Sequence, residues 1–102
     1  MDRQALEKML EQGTDSALLR YTLGTLCLKQ GDPETAVEHL AEAVRRNEEH
    51  SAGWKHYGKV LAQLRRVEEA KSAYEKGISV AEAKGDVQAA KEMRVFLKRL
   101  GE

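Results

Sequence analysis

The chain repeats itself every 34 residues: Gly24 recurs as Gly58, Ala36 as Ala70, Leu40 as Tyr74 and Ala43 as Gly77. A fixed period of this length belongs to a stacked supersecondary unit, which cannot bury its apolar face alone and does so against its neighbours. The chain is therefore expected to form a linear array, and to serve as a binding scaffold without catalysis. Specificity in such arrays rests on a few variable surface positions, so the repeat alone does not identify a ligand.

Apolar residues follow helical spacing almost throughout, and no stretch alternates as a strand would. Six helices are predicted. The first covers about Asp2–Gln12, with Leu6, Met9 and Leu10 on one stripe and Gly13 beyond its end. The second runs from about Asp15 to Gln30 and stops at Gly31. Asp32-Pro33-Glu34 opens the third with an acceptor, a proline that needs no amide partner and an acid at the positive dipole end. Asn47 ends that helix, and Ser51 is expected to cap a fourth that continues to about Leu64. Arg65-Arg66-Val67 stands where the first repeat has Gly31-Asp32-Pro33, so the break there is inferred from the period. The fifth helix runs to about Lys84, Gly85-Asp86 supplies a stop and a new cap, and the sixth ends near Leu100. Helices this short are marginal alone and depend on stacking.

A chain of 102 residues with 41% apolar content can bury roughly two-thirds of its unfolded surface as one domain. Its formal net charge is zero, so no global field draws it to nucleic acid or anionic lipid. The charge is divided, however. Residues 1–50 carry six Lys/Arg against ten Asp/Glu and residues 51–102 eleven against seven, so the halves stand at about −4 and +4. Two solvated faces that differ by chance would give this division, and so would head-to-tail self-association or an acidic partner on the second half. The lone Cys27 excludes an intrachain disulfide and suits a reducing compartment. No apolar leader opens the sequence and no apolar run nears the ~20 residues of a membrane span, so a cytoplasmic location is expected.

With these positions in place the chain resembles a tetratricopeptide repeat (TPR) protein. The register gives a single domain over 1–102. It divides into an N-terminal half-repeat helix at 1–14, repeats at 17–50 and 51–84, and a capping helix at 86–100. The second repeat carries Trp54, Tyr57, Gly58, Leu61, Ala70, Tyr74 and Gly77 at the pattern positions; the first carries Leu23, Gly24, Cys27, Gly31, Ala36, Leu40 and Ala43. Small residues let paired helices approach, and Trp54, Tyr57 and Tyr74 are expected to fill the space between them. The departures are Arg20 in place of Trp, Arg65 in place of Gly, Glu48 and Glu82 in place of Pro, and Gly77 in place of Ala. The resemblance implies an all-α, right-handed superhelical stack of antiparallel helix pairs. It also implies a concave groove lined by the first helix of each repeat.

By that register the groove holds Leu18, Tyr21, Thr25, Leu28 and Lys29 from the first repeat and Ala52, Lys55, Lys59, Ala62 and Gln63 from the second. The sixth helix adds Ala89, Met93 and Phe96, although Leu28, Met93 and Phe96 also read as ordinary core beneath that helix. Lys55 and Lys59, four residues apart, share one helical face with no acid between them on it, so a bound carboxylate would relieve their repulsion; solvated lysines are the plain alternative. The expected partner is a protein or peptide with an acidic group, such as an amphipathic or extended apolar segment. The alternative is a homo-oligomer joined through the acidic and basic halves. Some family members grip acidic C-terminal peptides with a clamp of Lys, Asn and Arg. Tyr21, Thr25 and Lys59 stand at three of its positions, so the clamp is not matched.

On the sixth helix Val87, Ala90, Met93 and Leu97 are expected to close the stack, with Gln88, Lys91, Glu92 and Val95 facing solvent. Its basic residues lack interleaved aromatics, and nucleic acid and membrane are not expected partners. His39, His50 and His56 have no metal-ligand spacing, and no phosphate loop, nucleophile elbow or supported carboxylate pair is present. No catalytic residue, metal or cofactor is assigned.

Overall fold

In the computed structural model of the chain, which describes residues 2–101, the helices are α1 (Arg3–Glu11), α2 (Ala17–Lys29), α3 (Pro33–Arg46), α4 (Ser51–Gln63), α5 (Val67–Lys84) and α6 (Val87–Leu100). No strand occurs among the described residues. Four starts carry a side-chain cap: Asp2 accepts from the Gln4 amide, Ser16 from Leu19, Asp32 from Thr35 and Asp86 from Ala89. The α4 and α5 starts do not. His50, not Ser51, precedes α4 and makes no capping bond. Ser51 is instead the first residue inside the helix, and its hydroxyl donates to Asp86 Oδ2 at 2.9 Å.

Four helix ends share one device. The amides of Thr14, Asp32, Arg66 and Asp86 donate back to the carbonyls of Met9, Cys27, Leu61 and Ala81, closing the six-residue turn that finishes a helix. Each turn needs a left-handed residue just before that amide. Gly13, Gly31 and Gly85 supply it at φ 91°, 76° and 74°, whereas Arg65 is forced to φ 64° with a side chain attached. The break inferred from the period after Leu64 is thus real, and it is built without the glycine that usually makes it.

The helices pack as two layers, α2, α4 and α6 in one and α1, α3 and α5 in the other. Each helix packs on the next in sequence; α2 also meets α4, and α4 meets α6, while the backbones of α1, α3 and α5 stay farther from one another. Closer backbone packing within one layer makes that layer the tighter one, so the stack curves toward α2, α4 and α6.

Close approach within each pair depends on the repeating small residues. A Cβ at Gly24 would stand 2.5 Å from Leu40 Cγ, and one at Gly58 would stand 2.5 Å from the Tyr74 ring, the same contact one period later. Gly77 lies against Met93 and Trp54, where a Cβ would come 2.7 Å from Trp54 Cβ; the helix propensity lost there is the condition for seating α5 between α4 and α6. The central core joins Cys27, Ala36, Val37, Leu40, Val60, Leu61, Ala70 and Ala73. Leu6, Leu19 and Leu23 extend it at one end and Tyr74, Ala81, Ala89, Ala90 and Met93 at the other.

Several expectations change. Met9 is 41% exposed, so the α1 stripe narrows to Leu6 and half-buried Leu10. Val87 is 67% exposed and drops out of the closing face of α6; Ala90 and Met93 are buried there as expected, Leu97 packs against them, and Ala89 joins them. Trp54 is half-buried: it touches both core clusters, and its Nε1–H donates to the Glu48 carbonyl at 2.8 Å. One period earlier Arg20 makes the corresponding backward tie with its guanidinium, forking onto Asp15 at 3.0 Å. The tie survives the exchange of an indole for a guanidinium, which explains how a cation is accommodated at that position.

Candidate functional site

The inner layer presents α2, α4 and α6 side by side, and α4 supplies most of its chemistry. Residues three or four apart share a helical face, so Ala52, Lys55, His56 and Lys59 lie together facing α2 and α6. His56 Nδ1 is 2.9 Å from the Ala52 carbonyl, an acceptor only, so that nitrogen carries the proton and Nε2 keeps its lone pair. The Tyr21 hydroxyl is 3.3 Å from the same Nδ1. The Tyr21 ring stands edge-on to both His50 (4.6 Å) and His56 (5.4 Å), joining α2 to α4 through one aromatic cluster. Burial pushes both imidazoles below their ordinary value, with nearby lysine charge acting in the same direction.

The two lysines are not bare. Lys55 Nζ is 3.2 Å from Glu92 Oε1 on α6. Lys59 Nζ lies 5.7 Å from the centroid of the Phe96 ring. The expectation that no acid shares their face holds along α4 alone and fails once α6 is packed beside it. Glu92, expected in solvent, turns toward Lys55.

The remaining groove residues divide. Leu28 packs against the central core and Met93 is fully buried, so both are core, and Ala89 is buried with them. Phe96 is half-buried against Tyr74, with ring centroids 5.8 Å apart, and its ring lies beneath Lys59 Nζ. Leu18 is 72% exposed at the start of α2. The Thr25 hydroxyl donates to the Thr22 carbonyl at 3.1 Å, and Thr25 shares a shallow recess with Thr22, Leu26 and Lys29. Lys29 and Gln63 are exposed at the last residues of α2 and α4. Gln63 stands four residues after Lys59, next along the same face of α4 and about 6 Å up the axis from it. Sequence reasoning missed His50, His56 and Glu92. For Glu92 a signal existed: Lys55 to Glu92 and Lys59 to Phe96 both span 37 residues, one period plus three.

A second concavity lies between α4 and α5. It has a volume of about 480 Å³, a floor of Trp54, Tyr57 and Ala73, and a rim of Glu68, Glu69, Ser72 and Lys76. Its charges are already matched, since Arg66 forks onto Glu69 at 2.9 and 2.7 Å and Lys76 reaches Glu48 at 3.7 Å. Among the described residues no three His, Cys, Asp or Glu side chains gather as a metal site, and no helix is long and apolar enough to cross a membrane.

A curved, two-layered stack of antiparallel helix pairs with a polar inner face defines an α-solenoid of the TPR type. A tetratricopeptide repeat family model matches residues 21–87, and the chain belongs to that family. It is 46% identical over 97 residues to a TPR repeat-containing protein, PA0015, of Pseudomonas aeruginosa, covering 95% of this chain and 92% of the relative. Protein BPP2914 of Bordetella parapertussis has a solved structure that superposes with a TM-score of 0.82 at 39% identity, covering 99% of this chain and 88% of that one. The TPR protein YrrB superposes with a TM-score of 0.68 at 25% identity, over 96% of this chain and 58% of its own.

Proposed function

We propose that this chain is a non-catalytic interaction scaffold that holds a peptide or helix of a partner protein, bearing an acidic group, in the groove of its inner layer. The observation that carries the reading is the clustering of Lys55, Lys59, His56 and Tyr21 on that layer. Two ammonium groups face an incoming carboxylate, and a hydroxyl and a free imidazole lone pair lie beside them to meet main-chain groups. YrrB, a TPR protein with an unusual peptide-binding site, lends support by its likeness in fold. A reducing, cytoplasmic setting accords with the single buried Cys27.

The test is partner capture from native lysate with wild-type protein and Lys55→Glu/Lys59→Glu side by side. A partner held by wild type and lost by the variant, with retention by wild type falling as salt rises, supports the basic groove. Equal capture by both removes the lysines from the site. The division of charge into halves of about −4 and +4 favours one competing reading, head-to-tail self-association. That reading requires a molar mass that grows with concentration and collapses in high salt; an unchanging monomer disposes of it.

A further inference from the structure

The basic stripe of α4 is covered by a matched stripe of α6. Lys55 and Lys59 are four residues apart, as are Glu92 and Phe96, and the two pairs meet in register, carboxylate on one ammonium and ring beneath the other. Packing does not call for a glutamate at that position. Glu92 stands one period after Gly58 and two after Gly24, the positions where an inner helix receives a large side chain from its outer partner. At the third position the glycine is replaced by a long acidic side chain. A further helix could not seat there as Leu40 seats on Gly24, and the carboxylate is directed to Lys55.

We propose that Glu92 is an internal stand-in for the ligand, occupying a carboxylate-binding site on Lys55 and Lys59 that a partner's acidic side chain or C-terminus takes over by displacing it. The inference rests on the groove reading above and adds the group that competes with the ligand. The Lys55 and Glu92 side chains keep 23% and 39% of their exposure, and an ion pair so placed contributes little to stability and exchanges readily. Displacement costs a rotamer change and leaves the helix docked, because Ala89, Ala90 and Met93 keep α6 buried on α5. Glu92 engages only Lys55, whereas a ligand carboxylate between the two lysines meets both, so the exchange favours a doubly held acid. A neutral ligand gains nothing from the displacement and leaves Lys55 paired, which gives the site its selectivity.

The probe is N-acetyl-tetraglutamate, titrated at low ionic strength and followed by the backbone amide shifts of α4 and α6. Glu92→Gln keeps the side-chain length and removes the charge. It is expected to bind the peptide about two- to five-fold tighter than wild type, the range that an exposed ion pair spans. In a Lys55→Gln background the same change is expected to have no effect, and Glu75→Gln, which removes one charge from the outer layer, is expected to leave affinity unaltered. Equal affinity of wild type and Glu92→Gln, with shifts still centred on Lys55 and Lys59, overturns the stand-in and leaves the groove reading intact. A gain that persists without Lys55, or that Glu75→Gln reproduces, also overturns it by reducing the effect to net charge. Absence of shifts in the groove for every variant at millimolar peptide overturns both.

Discussion

Arg65 is where residue identity and backbone requirement conflict most openly. Its φ of 64° does the work that glycine does at the ends of α1, α2 and α5, and a side chain in that region costs about 1–2 kcal/mol. Glycine returns part of that through the looser unfolded chain. Arg65→Gly is therefore expected to stabilise the protein by about 0.5–1 kcal/mol, seen as a higher urea midpoint at unchanged slope; a lower midpoint refutes the strain. The position was legible as an anomaly, since the period set Arg65 against Gly31. The opposite held at Gly77, which read as a flaw in a helix and proves to be a point of close approach to Trp54 and Met93. A contact between three helices leaves no local mark in the sequence. The exchange of Ser51 for His50 at the start of α4 has a related cause, because the serine hydroxyl is drawn to Asp86, a residue 35 positions away.

Among the elements, α6 departs most from expectation, and Asp86 anchors it. One carboxylate oxygen accepts from the Ala89 amide, starting the helix, and the other accepts from Ser51, tying that start to the first turn of α4. The two bonds, the serine hydroxyl foremost, hold the Asp86 carboxyl below its ordinary range. Asp86→Ala removes both, and the first turn of α6 should exchange its amide hydrogens faster while α2 and α3 keep their protection. Uniform loss of protection across all helices would instead mark the stack as one cooperative unit. Fold class and helix order were readable because each boundary except the α4–α5 turn carries local chemistry. The site was half readable. Tyr21, Lys55 and Lys59 stand on the inner layer as the register implies, but the face that α6 turns toward α4 depends on its rotation about its own axis. Val87 and Ala89 are both apolar and two residues apart, and only packing decides which is buried.

For the molecule as a whole, acid is the informative perturbation. His39, His50 and His56 are all held below the ordinary 6.5, chiefly by burial. The unfolded chain therefore binds protons on these rings more readily than the folded one. Their contribution is complete above 6.5 and is lost as pH falls through that value toward the lower folded ones. A second loss follows. Arg20 holds Asp15 down, Arg3 holds Asp32 down, and Arg45 and then Arg46 take Glu42 from 4.5 to about 2, so the contribution of Glu42 begins to be lost below 4.5 and that of the two aspartates below 3.8. Both effects have the same sign, and urea midpoints should decline in two steps, first below pH 6.5 and again below 4.5; a midpoint level from pH 7.5 to 5 refutes the histidine step. Cys27 lies fully buried in the central core, its thiol pushed upward chiefly by burial, and it is the chain's only cysteine. The molecule thus carries its own clock: a thiol-reactive dye can add only when the middle of the stack opens, so its rate of uptake times that opening without a label having been engineered in.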